Sequence, residues 1–190
     1  DEMKKVFLII ALPVCLVMAQ EQPELPGWGV YVGAGMVGAS GDSLSGTTST
    51  LTVPSFGISK GVMLGGMPLF VGLGVHPRGF KNEDEGLEWE VNANFLDVWA
   101  VLPYPVGPAF LQVGFLAGVD VGGTQKVAID FYGMTISDEG DTELGLDYGL
   151  LAGLGVPLGP VNLNLFYVQG MADHDGITFN GMGANLGYSF

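Results

Sequence analysis

Apolar side chains occupy every odd position from Ala109 to Val121, while the even positions between them include Gln112, Gly114, Gly118 and Asp120. Side chains of an extended chain alternate between two faces, so this segment reads as a strand with one greasy side and one small or polar side. The pattern returns at Leu144, Leu146, Tyr148, Leu150, Ala152, Leu154 and Val156, again at Val161, Leu163, Leu165 and Tyr167, and finally at Met182, Ala184, Leu186, Tyr188 and Phe190. Nearer the start it runs through Trp28, Val30, Val32, Ala34 and Met36, then through Leu69, Val71, Leu73 and Val75. The opposing positions carry Gly29, Gly33 and Gly35, His76 and Arg78, or Asn162 and Asn164. A water-soluble barrel would hide its apolar face and wet the polar one. Here the two faces suit hydrocarbon outside and a narrow polar core inside.

Two further segments, about 54–64 and 87–102, bring the strands to eight, the smallest number that closes such a barrel. The expected fold is therefore all-β, an eight-stranded antiparallel transmembrane β-barrel with up-and-down meander topology. The segment at 87–102 changes phase: Leu87, Trp89, Val91, Ala93 and Phe95 are odd, whereas Leu96, Val98, Ala100 and Leu102 are even. A bulge near Phe95-Leu96 is the expected repair, and it turns Asp97 and Trp99 inward. Lys60 falls on the greasy face between Ile58 and Val62, close enough to the strand end to snorkel to the interface. Short turns are expected at 65–68, 103–108 and 157–160, and longer outer loops at 40–49, 80–86, 122–143 and 172–176. Trp89, Tyr148 and Tyr167 mark the outer rim, and Trp28, Tyr188 and Phe190 the inner one.

The amino-terminal stretch differs from the rest. Lys4 and Lys5 precede an apolar run from Val6 to Ala19, followed by Gln20-Glu21-Gln22. That order is the signature of a secretory signal peptide, expected to be removed after Ala19 to leave a single domain over 20–190. The run is shorter than the ~20 residues of a spanning helix, and beyond it no apolar run approaches that length. The one cysteine, Cys15, lies in the leader, so the exported chain would hold neither disulfide nor thiol nucleophile. A formal charge of −14 and six Lys and Arg in all, two of them Lys4 and Lys5, argue against a nucleic-acid partner.

Several stretches resemble the outer-membrane β-barrel family of small porin-like proteins found in bacteria with two membranes. Asn94-Phe95-Leu96-Asp97-Val98 followed by Pro103-Tyr104-Pro105 is similar to that family's segment leading into a periplasmic turn. Leu73 to Gly79 and Leu146 to Gly155 look like its neighbouring strands, although Trp99 stands where the family usually has proline. The ending Leu186-Gly187-Tyr188-Ser189-Phe190 resembles the aromatic signal read by the barrel-assembly machinery, which makes Tyr188 and Phe190 the expected assembly signal. The resemblance implies the bacterial outer membrane as location, outer-membrane lipid and lipopolysaccharide as surroundings, and no catalytic residues.

In this register His76, Arg78, Glu88, Glu90, Asp120 and Asp147 point into the lumen near the outer rim. Arg78 is expected to pair across its hairpin with Glu88 or Glu90, because buried charges need partners. The reading is an internal polar plug in a non-enzymatic barrel that meets its environment through the outer loops. The competing reading is a small cation-preferring porin or transporter channel. Asp173-His174-Asp175-Gly176 has the composition of a tight turn rather than of a metal site. The acids at 83–85 and 138–143 match no calcium-loop spacing and read as a solvated face. An enzyme of lipid or peptide is disfavoured: the two histidines fall in different hairpins and there is no Gly-x-Ser-x-Gly elbow. No cofactor and no metal are expected.

Overall fold

The computed structural model describes residues 27–132 and 134–190, so the expected leader, Cys15 and the start of the domain at residue 20 lie outside them. Its strands are β1 (Trp28–Ser40), β2 (Thr47–Ser49), β3 (Leu51–Leu64), β4 (Met67–Asp84), β5 (Leu87–Val106), β6 (Ala109–Phe131), β7 (Met134–Asp141), β8 (Leu146–Leu158), β9 (Val161–Gly170) and β10 (Thr178–Ser189). No helix occurs among the described residues. All strands but β2 and β7 form an antiparallel meander of eight, and β1 pairs with both β3 and β10 to close it. Closure gives every backbone N–H and C=O of the ring a partner, which hydrocarbon demands and water does not.

The outer face carries a continuous apolar band. Val32, Val113 and Phe115 are each about three-fifths exposed, at 62%, 63% and 60%, and they belong to the continuous greasy rows of the alternation. Lys60 sits beside Trp28 in the register, its Nζ 4.8 Å from the ring centroid, so the one cation on this face rests on an aromatic at the rim. The short turns are as tight as the glycines and prolines demand. Gly65 and Gly66 both take positive φ between β3 and β4, and Gly107 and Gly159 turn the next two inner connections.

The outer side departs from expectation in three ways. First, β5 has no bulge at Phe95-Leu96. Its odd residues Val91, Ala93, Phe95, Asp97 and Val101 all point inward and are buried. The register shift lies instead between Ala93↔Gly123 and Phe95↔Asp120, so the extra residue belongs to β6, near Val121-Gly122. Gly122 takes φ +120 and donates its N–H to Asp120 Oδ1 at 2.9 Å. Second, segments expected as loops are strand. β4 runs to Asp84 and turns at Glu85-Gly86, both at positive φ as a two-residue hairpin turn requires. Most of 122–143 is the outer half of β6 paired with β7. Third, Trp89 packs on Phe80 with ring centroids 5.0 Å apart, so it belongs to the interior and not to the lipid-facing rim.

These differences share one cause. A membrane strand needs about 9–11 residues, and β4, β5 and β6 have 18, 20 and 23. Their outer halves stand in water, where the barrel is built like a soluble one. Apolar Phe80, Val91, Ile177 and Phe179 turn inside, while Asn92 and Asn94 face out.

Candidate functional site

The lumen is crossed near the outer edge of the apolar band by a layer of charged and aromatic side chains. Arg78, inward on β4, donates Nη1 to Asp97 Oδ2 at 2.8 Å and Nη2 to Asp97 Oδ1 at 2.9 Å, a two-pronged pair between neighbouring strands. Its Nε donates to Asp147 Oδ2 at 2.8 Å across the barrel, and Nη1 also reaches the His76 carbonyl at 2.6 Å. The guanidinium lies 4.7 Å from the centroid of the Phe95 ring. Asp97 and Asp147 are almost completely buried, so only this array of charged hydrogen bonds makes their ionised forms tolerable there.

The layer continues sideways. His76 Nδ1 lies 2.8 Å from Asp97 Oδ2, and its Nε2 lies 3.1 Å from Tyr31 Oη, which accepts from Trp99 Nε1 at 3.1 Å. An ionised Asp97 can only accept, so His76 donates from Nδ1. The Tyr31 hydroxyl, already accepting from Trp99, has its proton free for His76 Nε2. Gly57 and Gly74 make room for the Tyr31 hydroxyl end, and Gly72 for the Trp99 ring. A Cβ at any of the three would collide with those atoms. Both side chains are thereby drawn against the wall, their rings edge to face at 63° with centroids 6.0 Å apart.

Outside this layer the interior is packed with apolar side chains. Phe80, Val91, Ile177 and Phe179 form a buried cluster, flanked by Ala39, Leu44, Trp89 and Leu144. The β9–β10 connection folds over it, with Ala172 and Ile177 buried. Asp173 to Gly176 forms the expected turn: Gly176 N–H donates to Asp173 Oδ1 at 2.6 Å, and Asp175 and Gly176 take positive φ. That turn brings His174 Nε2 to 3.5 Å from Asp147 Oδ1. A cavity of 440 Å³ lies beneath, its wall extending from Phe179 of the apolar cluster and from Asp97 and Asp147 down to Pro68, Pro105 and Pro157 at the short turns.

Of the residues assigned to the lumen from the sequence, His76, Arg78 and Asp147 meet in this layer. Asp120 sits apart: its carboxylate accepts the backbone N–H groups of Gly122 and Leu144, fixing the bulge and the loop before β8. Glu88 and Glu90 correct the expectation, since the unbroken phase of β5 turns both outward above the membrane. Arg78 pairs with neither. Glu88 Oε2 lies 3.1 Å from Lys81 Nζ, which also reaches Glu83 at 2.8 Å. Those two hydrogen bonds, Glu83 first, hold the Lys81 ammonium up at about 12. The actual partner of Arg78 is Asp97, whose inward direction is legible in the sequence but whose pairing is not. Tyr31 takes the inward phase of β1, legible between Val30 and Val32, but one aromatic in a row of glycines says nothing of what it meets; His174 carried no signal for the lumen because a loop brings it there.

The described residues contain no group of three or more His, Cys, Asp or Glu placed to hold a metal ion. The arrangement is that of a wall inside a barrel.

The chain matches the family profile of the outer membrane protein β-barrel domain over residues 7–190. No curated protein sequence matches it. Among solved structures the fold is similar to Neisserial surface protein A, at 15% identity and a TM-score of 0.51 over 88% of this chain and 100% of that one. It is similarly close to Ail, the attachment invasion locus protein of Yersinia pestis, at 15% identity and a TM-score of 0.50 over 87% of this chain and 99% of that one. At such identities the likeness is one of fold.

Proposed function

Because the chain belongs to the outer membrane protein β-barrel domain family and so to the bacterial outer membrane, we propose that it is a non-enzymatic, non-conducting barrel with a surface-interaction role. The observation that carries this reading is the double closure of the outer lumen by the Arg78–Asp97–Asp147 layer and the apolar cluster around Phe80. An eight-stranded barrel has an interior only wide enough for side chains, and here two successive layers of them lie across any ion path. The outward growth of β4, β5 and β6 supports the second half of the reading. It ends in the β6–β7 hairpin, where Ile129, Met134 and Ile136 are exposed on one face. β7 pairs with β6 alone among the described strands, which leaves a backbone edge open to an outside partner.

In this reading residues 1–19 direct export and are cleaved, the barrel-assembly machinery reads the Tyr188–Phe190 end, and outer-membrane lipid with lipopolysaccharide surrounds the greasy band. The experiment is single-channel recording of the refolded protein in planar bilayers. No steady conductance is expected, and a steady cation-selective current would overturn the closed-barrel reading in favour of the small porin. For the surface role, cells displaying the intact protein are compared with cells displaying a variant whose 125–140 segment is replaced by a short glycine turn. Attachment to immobilised matrix proteins is expected to fall to background, and equal attachment would remove the hairpin from the role.

A further inference from the structure

The described residues do not fill the lumen inside the charged layer. Its 440 Å³ lies within the ~300–1,000 Å³ of small-molecule sites, in a class of barrel whose interior ordinarily accommodates side chains and little else. The space exists because of how the wall is built. Tyr31 and Trp99 are seated on Gly57, Gly72 and Gly74, clear of the centre. Gly187, also on the wall, would meet nothing closer than 3.7 Å with an added Cβ, so its missing side chain leaves room that no neighbour uses.

The lining indicates what fits. Val53, Phe70, Val101, Phe110, Leu151 and Phe166 give it an apolar wall, and apolar cavities hold water poorly and accept apolar guests. Among them three side-chain amides converge. Gln112 donates to Asn164 Oδ1 at 3.3 Å, and Asn185 Oδ1 accepts from Ser55 Oγ at 2.8 Å. Each amide thus uses one end within the wall, and the amide nitrogens of Asn164 and Asn185 donate to no other described residue. No lysine lines the space, and the guanidinium of Arg78 at its far end is committed to Asp97, Asp147 and a carbonyl. An anion has nothing to pair with there.

We propose that the inner half of the lumen is a ligand site, entered from the short-turn rim and ended by the Arg78–Asp97–Asp147 layer and Phe179, for a neutral and mainly apolar molecule bearing a carbonyl group. The carbonyl accepts from Asn164 or Asn185, and the apolar body lies along Trp99, Phe110 and Phe166. The site opens on the side away from the outer loops, so the barrel is a dead-end pocket facing the periplasm and not a passage.

The test uses the isotope-labelled protein in lipid nanodiscs, titrated with 4-(trifluoromethyl)acetophenone and followed by NMR of the indole and side-chain amide N–H groups. Saturable shifts are expected at Trp99, Asn164 and Asn185, with Trp28 on the lipid face reporting simple partition into the bilayer. Filling the space with Gly187→Leu or, independently, Leu151→Phe should weaken binding at least tenfold in barrels that still fold. Replacing the ketone by an ethyl group should weaken it about fivefold, the worth of one hydrogen bond, and 4-(trifluoromethyl)benzoate should not bind. Shifts that never saturate, that appear equally at Trp28, or that persist in both filled variants would overturn the site. Equal binding of the benzoate would overturn its neutral character. A current in the planar-bilayer experiment would remove the closed-barrel reading and overturn the dead end, while the ligand site itself stands or falls on its own resonances.

Discussion

Arg78 is the residue on which the interior depends. It compensates two carboxylates that the surrounding wall removes from water, and removing it leaves Asp97 with the His76 ring N–H alone and Asp147 with only His174 at 3.5 Å. Arg78→Met is therefore expected to destabilise the barrel by about 3–5 kcal/mol, measured as a shift of the urea unfolding midpoint in lipid vesicles. Adding Asp97→Asn and Asp147→Asn to that variant should recover most of the loss, because the cost lies in buried charge and not in missing contact. Gly72 tests the other half of the layer. Gly72→Val drives a methyl into the Trp99 ring, and a cost of about 1–3 kcal/mol is expected, with a shift in the Trp99 emission as the ring leaves its seat. At this scale the sequence was informative about direction and silent about partners. The alternation in β4 turns His76 and Arg78 inward, but nothing in it tells which acid across the barrel stands at the same height.

At the scale of elements, β5 shows how one strand can carry two opposite patterns without changing its geometry. The swap of apolar residues from odd to even positions near Phe95 suggests a bulge if the surroundings are the same along the strand. The surroundings change instead: inside the bilayer the outward face is greasy, and above it the inward face is. The same logic separates Lys60 from a cation placed mid-band. Phe115→Arg, in the centre of the apolar row of β6, should cost about 2–4 kcal/mol, against little for a charge at the rim, and comparison of folding midpoints in vesicles checks it. Strand β7 is an addition to the barrel and not part of its closure, whereas residues 125–129 of β6 pair with Leu87 to Val91 of β5 in the wall. Replacing 125–140 by a short turn also removes the ladder partner of Leu87 to Val91 and the buried Ala128, so the unfolding midpoint is expected to fall by the worth of a few hydrogen bonds, about 1 kcal/mol each.

The whole molecule is a tube with two solvents outside and three zones within: a cavity toward the short turns, a charged layer, and an apolar cap. The charged layer at one end and the open cavity at the other make it asymmetric along its axis. Its dependence on lipid follows from the area of exposed Val, Leu and Phe side chains on the barrel wall, far beyond what a water-soluble surface presents. Transferred to buffer without detergent or lipid, the protein should aggregate. A monodisperse species with Val113 and Leu186 protected from solvent would contradict the membrane assignment.

The strict two-residue period, the glycine and proline turns and the lack of any helix-length apolar run in the barrel region already specified an eight-stranded meander with lipid outside. They could do so because strand periodicity is local and a single slip would put every greasy side chain on the wrong face. The height at which lipid gives way to water, the pairing of Arg78 with Asp97 and Asp147, the turn that lays His174 over them and the unfilled inner lumen were decided only by tertiary structure. Each depends on residues from strands distant in the chain meeting at one level of the tube, and a periodicity records which face a residue takes but not the level at which it meets its neighbours.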